Sequence, residues 1–335
     1  MRFLLNFLLA LYDKMFMPLW FAGTFNSVTD RTDSGALIPE EVTSEIFQNL
    51  PQQSSFLQLA RRLPDMSRKQ LRMPILSVLP TGYFVNGDTG FKQTTDQAWA
   101  NKYINAEAIA VIVPIPEDVI NDVDYDMWKE IQPRLVEAFG KVIDLAVFHG
   151  TNKPATWPTA IVPGALATGN SVALGTGVDM YDDLLGENGV ISAVEADGYM
   201  VNAHVAAMSM RGKLRGLRDA DGHPIFTTNM QQAGSYLLDG NGILFPRNGG
   251  IDPTSALLIS GDFSQAVYSI RQEISWKVLS EAVITDDTGA VVYNLPQQDM
   301  VALRAVMRLG WEIPNPVNSL QANAATRYPF GVLTP

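Results

Sequence analysis

The chain has 335 residues, 47% of them apolar and 18% charged, with 26 Gly, 20 Pro, no Cys and a formal net charge of −11. Such a composition buries a large core and excludes global disorder, while the absence of Cys removes disulfides, thiolate metal sites and cysteine nucleophiles together. The 35 acidic against 24 basic residues oppose electrostatic capture of a nucleic-acid backbone, which needs clustered Lys and Arg, but leave open a shell that encloses nucleic acid without gripping it.

In chain order, Met1-Arg2 is followed by the apolar run Phe3–Leu11 and a second apolar patch ending at Trp20. The run is short for a membrane span, Asn6 interrupts it, and no A-x-A cleavage site follows, so a short amphipathic arm is expected rather than a signal peptide. From Thr29 to Gly35 the sequence is polar and turn-rich. It then enters Ala36-Leu37-Ile38-Pro39-Glu40-Glu41-Val42, where Pro39 suits a first helical turn and Val42, Ile46 and Leu50 recur at helical spacing.

A strand is expected to open at Leu71–Leu76 and another to close at Glu107–Ile115, the two framing a long excursion. Its tip, Asn86-Gly87-Asp88-Thr89-Gly90, has turn chemistry, and Tyr83, Phe84, Phe91 and Trp99 are spread along its arms. A hairpin of this length has little core of its own and needs something to lie on. After the acids Asp122, Asp124 and Asp126, the residues Trp128, Ile131, Leu135, Phe139, Val142 and Ala146 step by three or four. They predict an amphipathic helix to His149, roughly 33 Å long, with Pro133 as a kink or late start and Gly150 as its stop.

Residues 151–179 are expected to be a Gly-, Thr- and Pro-rich loop. Helices follow at Tyr181–Leu185 and Ile191–Ala196, then a strand at Gly198–Ala203, a basic helix from Ala206 to Leu217 with Arg211, Lys213, Arg215 and Arg218 on or just beyond it, and a turn at Asp219–Gly222. Ala256–Phe263 is expected as a buried strand and turn, Val267–Leu279 as an interrupted strand, and Met300–Ile313 as a strand carrying Arg304 and Arg308. Helices and strands mix without βαβ alternation, so the class is α+β.

Chemistry is sparse. His149, His204 and His223 form no HExxH or H-x-E pair, and nucleophile-elbow, Walker A and dinucleotide fingerprints are absent. Asp182-Asp183 and Asp219-x-Asp221-Gly222 lack the further ligands a calcium loop requires and suit solvated turns. The basic helix suits a solvated or intersubunit face better than a phosphate site. No catalytic, cofactor or metal site is expected.

The order of these elements, from Ala36–Val42 through the β excursion, the helix ending Ile143–Gly150, the 198–226 unit and Ser260-Gly261-Asp262-Phe263, resembles the major capsid proteins of tailed bacteriophages with the HK97 fold. The resemblance covers roughly residues 35–315. It implies an N-terminal arm (1–40), a peripheral domain (41–70 and 106–175, with a spine helix at 126–149, and strands at 263–310), an extended loop (71–105), an axial domain (176–262) and a C-terminal return segment (311–335). It implies hexamers and pentamers closing an icosahedral virion shell around double-stranded DNA, assembled in the host cytoplasm, with a portal protein and separate scaffolding, protease and decoration proteins as partners, and no membrane. Scaffolding, where needed, is expected to be a separate protein or a segment already removed, because only about 35 residues precede the arm motif.

Some relatives cross-link subunits through a loop Lys and an Asn, with a Glu as base. Lys92 could supply the amine, but the aligned positions here hold Asp299 and Val306, which cannot serve as acceptor and base, so no cross-link is expected. Two other readings stay open: an encapsulin-type compartment enclosing cargo enzyme, and a soluble enzyme using Asp182 and Asp183 as acid and base.

Overall fold

The computed structural model describes residues 54–85, 87, 90–122, 127–218, 221 and 236–335, all within one compact unit, Val42–Pro335. The expectations for the apolar arm, the helix entered at Pro39 and carrying Val42, Ile46 and Leu50, His223 and the excursion's turn residues Asn86, Asp88 and Thr89 lie outside these residues.

The order is mixed α and β, as the lack of alternation predicts. Helix α1 (Ser55–Leu59) leads into β1 (Arg61–Arg62). Next come β2 (Gln70–Val78), β3 (Ala98–Asn105) and β4 (Glu107–Pro116). The excursion is therefore corrected in one respect: its return strand is β3, paired antiparallel with β2 from Gln70↔Asn105 to Val78↔Ala98, whereas β4 pairs elsewhere. Ala106 separates the two strands, and its buried side chain joins a small cluster with Met66, Ile104 and Val267.

Helix α2 (Glu117–Asp122) precedes α3 (Met127–Asp144), which passes through Pro133 and closes in a π turn at Leu145–His149. Gly150 ends it at φ 78°, a left-handed conformation that glycine adopts without steric cost. The buried stripe of α3 and its closing turn is Leu135, Val136, Phe139, Ile143, Ala146 and Val147. Val142 is 44% exposed; Ile143, one residue on, takes the place expected for it.

The supposed loop 151–179 contains α4 (Ile161–Thr168) and β5 (Ser171–Ala173). Pro163 sits in the first turn of α4, where its missing N–H costs nothing, and Gly169 caps the other end at φ 89°. Helices α5 (Met180–Leu185) and α6 (Val190–Ala196) fall where periodicity places them. The strand expected at 198–203 begins only at its end: β6 spans Ala203–Ala206, ahead of α7 (Met208–Gly216). Tyr199 and Asn202 are instead drawn into side-chain hydrogen bonds with partners distant in sequence, Tyr199 Oη to Asn315 Oδ1 and Asn202 Nδ2 to Asp262 Oδ1, each at 2.7 Å. The remaining strands are β7 (Leu237–Leu238), β8 (Asn241–Leu244), β9 (Leu258–Gly261), β10 (Val267–Leu279), β11 (Val283–Thr285), β12 (Val291–Asn294), β13 (Met300–Glu312) and β14 (Phe330–Thr334).

Two principal sheets result. One is ordered β1-β10-β13-β4, and the other β5-β14-β9-β6-β8-β7; β2-β3 and β11-β12 are separate hairpins. The interruptions expected in β10 are register shifts after Ile270 and Gln272. The first sheet packs on α3 and α1 around an aromatic cluster in which the Phe56 ring centroid lies 5.5 Å from Trp311 and 6.2 Å from Phe148. The second packs on α5, α6 and α7 through Leu184, Val194, Met210, Leu214 and Leu258.

Candidate functional site

The side chains with chemical potential are occupied structurally. Asp183 is buried, and its oxygens accept the backbone N–H groups of Gly175 and Gly177 at 2.7 and 2.6 Å. Asp182 lies in the first turn of α5, whose amides at Tyr181 and Asp182 are capped by Asp179. Arg211 lies over the Tyr236 ring at 4.5 Å, while Arg215 and Arg218 donate to carbonyls at the end of their own helix. Those guanidiniums complement the negative end of the helix dipole. Asp219 lies outside the described residues and Asp221 in a turn.

The histidines behave likewise. His204 is buried between Ser260 Oγ (2.8 Å) and the Leu238 carbonyl (3.1 Å). His149 Nε2 accepts the Asp252 N–H at 3.0 Å, so its other nitrogen carries the proton toward Ser255 Oγ at 2.7 Å. Burial pushes both imidazoles below their ordinary value. Among the described residues, no group of three or more His, Asp or Glu side chains could hold a metal, and no helix is long and apolar enough to cross a membrane.

What the fold exposes is more informative. The β2–β3 hairpin presents Tyr83, Phe84, Phe91 and Trp99 to solvent, Phe84 completely and Phe91 at 95%. Its base, by contrast, is fastened. Lys102 Nζ donates to the Ile313 carbonyl at 2.7 Å and to Glu312 Oε1 at 3.3 Å, and Val317 N–H reaches the Leu76 carbonyl at 3.1 Å. Asn105 is held by its side chain to the Thr156 carbonyl and by its own carbonyl to Trp157 Nε1. Burial raises the Glu312 carboxyl against the opposing pull of Lys102. A hairpin rigid at its root and bare of core along its length is built to bury those rings against another surface, each Phe contributing about 1.5–3 kcal/mol when covered. Sequence reading found these aromatics; it missed the fastening, because Lys102, Glu312 and Val317 meet only in the fold.

Val278 at the end of β10 and Val283, Val291 and Val292 of the β11–β12 hairpin are also exposed. At the positions weighed for cross-linking, Asp299 is exposed with φ 49°, Val306 faces Ala110 and Ser275 across the sheet, and Lys92 is exposed.

Residues 34–320 match the model of the phage capsid family. The chain belongs to that family. The major capsid protein of Staphylococcus phage 80alpha is 27% identical over 277 residues, 82% of this chain and 80% of its own length. A solved structure from Microbacterium phage Oxtober96 is similar with a TM-score of 0.74 at 37% identity, covering 90% of this chain and 94% of that one. One from Mycobacterium phage Cain gives 0.73 at 32% identity, covering 91% and 98%. The fold is the HK97-like capsid fold, and the function is that of a phage major capsid protein, a structural component of the virion. The encapsulin reading is not favoured, since both the family and the curated relative are phage capsids.

Proposed function

We propose that copies of this chain assemble as hexamers and pentamers into a closed icosahedral shell around double-stranded DNA, each β2–β3 hairpin lying across a neighbouring copy. The observation that carries this is the hairpin itself: Phe84 and Phe91 wholly in solvent, with Tyr83 and Trp99 partly so, on arms whose root is fixed to the body. Surfaces of that kind are stable when covered, and a ring or shell of identical copies covers each one without leaving an open end. Within the subunit, residues 41–70, 106–175 and 263–310 form the peripheral domain, residues 176–262 the axial domain, and residues 311–335 return to it. The core under α5–α7 supports the axial assignment, while Ala203, Val205, Ala207, Ile251, Ala256 and Ile259 of that segment join the core under α3.

The portal, scaffolding, protease and decoration proteins are partners by the same reading, and assembly precedes release from the host cytoplasm. The chain acts without catalysis: the Asp183 oxygens are taken by the Gly175 and Gly177 amides, Asp182 sits in the first turn of α5, and the Lys92, Asp299 and Val306 set cannot close an amide. Light scattering and negative-stain microscopy of the purified chain test the shell. Closed particles or capsomers are expected, and a chain that stays monomeric with rising concentration, with or without a scaffold partner, refutes it. Denaturing gels of mature particles test the cross-link, where a single band at the 36.7-kDa chain mass is expected and a covalent ladder refutes its absence.

A further inference from the structure

The four-stranded sheet is electrically polar along its strands. Arg61, Arg62, Arg68, Lys69 and Arg72 share a short segment with one acid, Asp65, in a chain of net charge −11. All five are exposed, and the fold gathers them at one end of the sheet. Arg61 pairs with Val267, which faces Glu312 across β10 and β13, and the Lys69 carbonyl accepts the Ala106 N–H at 2.9 Å, beside the start of β4. Arg62 meets Asp65 at 2.9 Å and Glu273 at 3.8 Å, and Lys69 meets Glu107 at 3.7 Å. Arg61, Arg68 and Arg72 have no ion partner among the described residues.

β4 then runs from Glu107 to Pro116, about 30 Å at ~3.3 Å per residue. It delivers the chain into α2, whose first turn carries Glu117 and Asp118, both exposed. No Lys or Arg occurs between Tyr103 and Trp128. One end of a rigid sheet is therefore cationic and the other anionic. A gap of about 30 Å is several Debye lengths at physiological salt, so the two ends cannot neutralise each other within one chain.

We propose that the Arg61–Arg72 edge of one copy docks on the Glu117–Asp118 turn of the next, head to tail, in the assembled shell. This rests on the chain assembling with itself. Nucleic-acid phosphate would satisfy the basic edge alone and leave the acidic turn unmatched, whereas a second copy satisfies both ends at once. Head-to-tail contact is also the heterologous geometry from which rings are made.

The chain has no Cys, so engineered thiols report without background. Particles of the Arg68→Cys/Asp118→Cys variant, oxidised and run on a denaturing gel, are expected to give a ladder of chain multiples that collapses on reduction. The two positions lie about 30 Å apart in one chain, far beyond the ~7 Å Cα reach of a disulfide, so every link joins two copies. In parallel, Arg61→Glu/Arg68→Glu/Arg72→Glu is expected to cut assembly at least tenfold, and adding Glu117→Lys/Asp118→Lys to the same chain to restore it. Monomer alone on the gel, or dimers without higher rungs, overturns head-to-tail docking. So does a triple-Glu variant that assembles like wild type and loses retention of DNA, which assigns the edge to phosphate. A wild-type chain that never forms particles overturns the shell reading first, and is distinguished by needing no variant to see it.

Discussion

Asp144 near the end of α3 is the most consequential buried charge in the subunit. Its Oδ1 accepts Ser54 Oγ at 2.7 Å and Phe56 N–H at 3.1 Å, and its Oδ2 accepts Ser55 N–H at 3.0 Å and Asn248 Nδ2 at 2.9 Å. One carboxylate thus caps α1, ties it to the spine helix and pins the 246–250 loop, and α1 leads directly into the basic edge at Arg61. Replacing Asp144 by Ala strands these donors at about 1–3 kcal/mol each, less what relaxation and water recover, for a net loss of about 3–5 kcal/mol. In a chain of this size that lowers Tm by about 4–7 °C.

Asp144→Asn is the sharper test. In one amide orientation the new N–H₂ confronts Ser55 N–H, and in the other Phe56 N–H. Asn248 cannot turn its oxygen inward without giving up the Gly250 N–H it accepts at 2.9 Å. A loss of about 2–3 kcal/mol is therefore expected for this near-isosteric change, measured by urea unfolding of the unassembled chain at fixed concentration and pH 8. Burial pushes this carboxyl upward while the four donors pull it back. If burial wins so far that the group is neutral, Asn mimics it and the variant loses less than about 1 kcal/mol, which would refute the charged-acceptor reading. The net upward direction also means the folded chain takes up this proton more readily than the unfolded one. Its contribution is accordingly fullest in acid and declines as pH rises from the unfolded value.

Acid lability falls instead to His149 and His204, whose values are lowered by burial from 6.5; the unfolded chain binds those protons first, so stability is expected to fall from pH 7 toward 5, and His149→Gln/His204→Gln to flatten that slope in Tm–pH profiles. A Cβ at Gly310 would lie 2.4 Å from the Asn105 carbonyl oxygen and 2.7 Å from Ile104 Cγ2, whereas at Gly212 it meets nothing within 4 Å. Gly310→Ala should therefore cost about 1–3 kcal/mol or more in urea unfolding and Gly212→Ala should add about 0.5–1 kcal/mol, the opposite order refuting the packing described for β13. Phe84→Ser/Phe91→Ser is expected to leave subunit unfolding unchanged within about 0.5 kcal/mol while raising the concentration needed for assembly at least tenfold by light scattering.

Elements whose periodicity matched their burial were legible in the sequence: α3, the long strands β10 and β13, and the short helices α5 and α6. Failures arose where tertiary partners decide. α4 hides behind Pro163 and Gly164, yet Pro is harmless in a first turn, and Gly164 is needed because a Cβ there would sit 2.4 Å from the Tyr328 hydroxyl. β14 carries no alternation because it is buried on both faces between β5 and β9. The excursion's true return strand was obscured because β3 and β4 abut with only Ala106 between them. Pairing, which sequence does not encode locally, assigns one to the hairpin and the other to the sheet.

The same distinction governs the functional surface. Aromatic residues in a loop without core are visible one at a time in sequence, and their exposure follows from composition alone. The sheet's polarity is different, because Arg61 and Glu117 are merely distant in sequence until β4 is recognised as a straight strand that fixes their separation. A charge block at a chain position is a solvated face; two opposite blocks held apart by one strand are a vector. For a subunit that must meet copies of itself repeatedly, that vector gives direction to an interface which apolar burial on the hairpin would leave free to slide. Hairpin burial then supplies most of the association energy and the charged ends its register, so salt should weaken register before it dissolves particles.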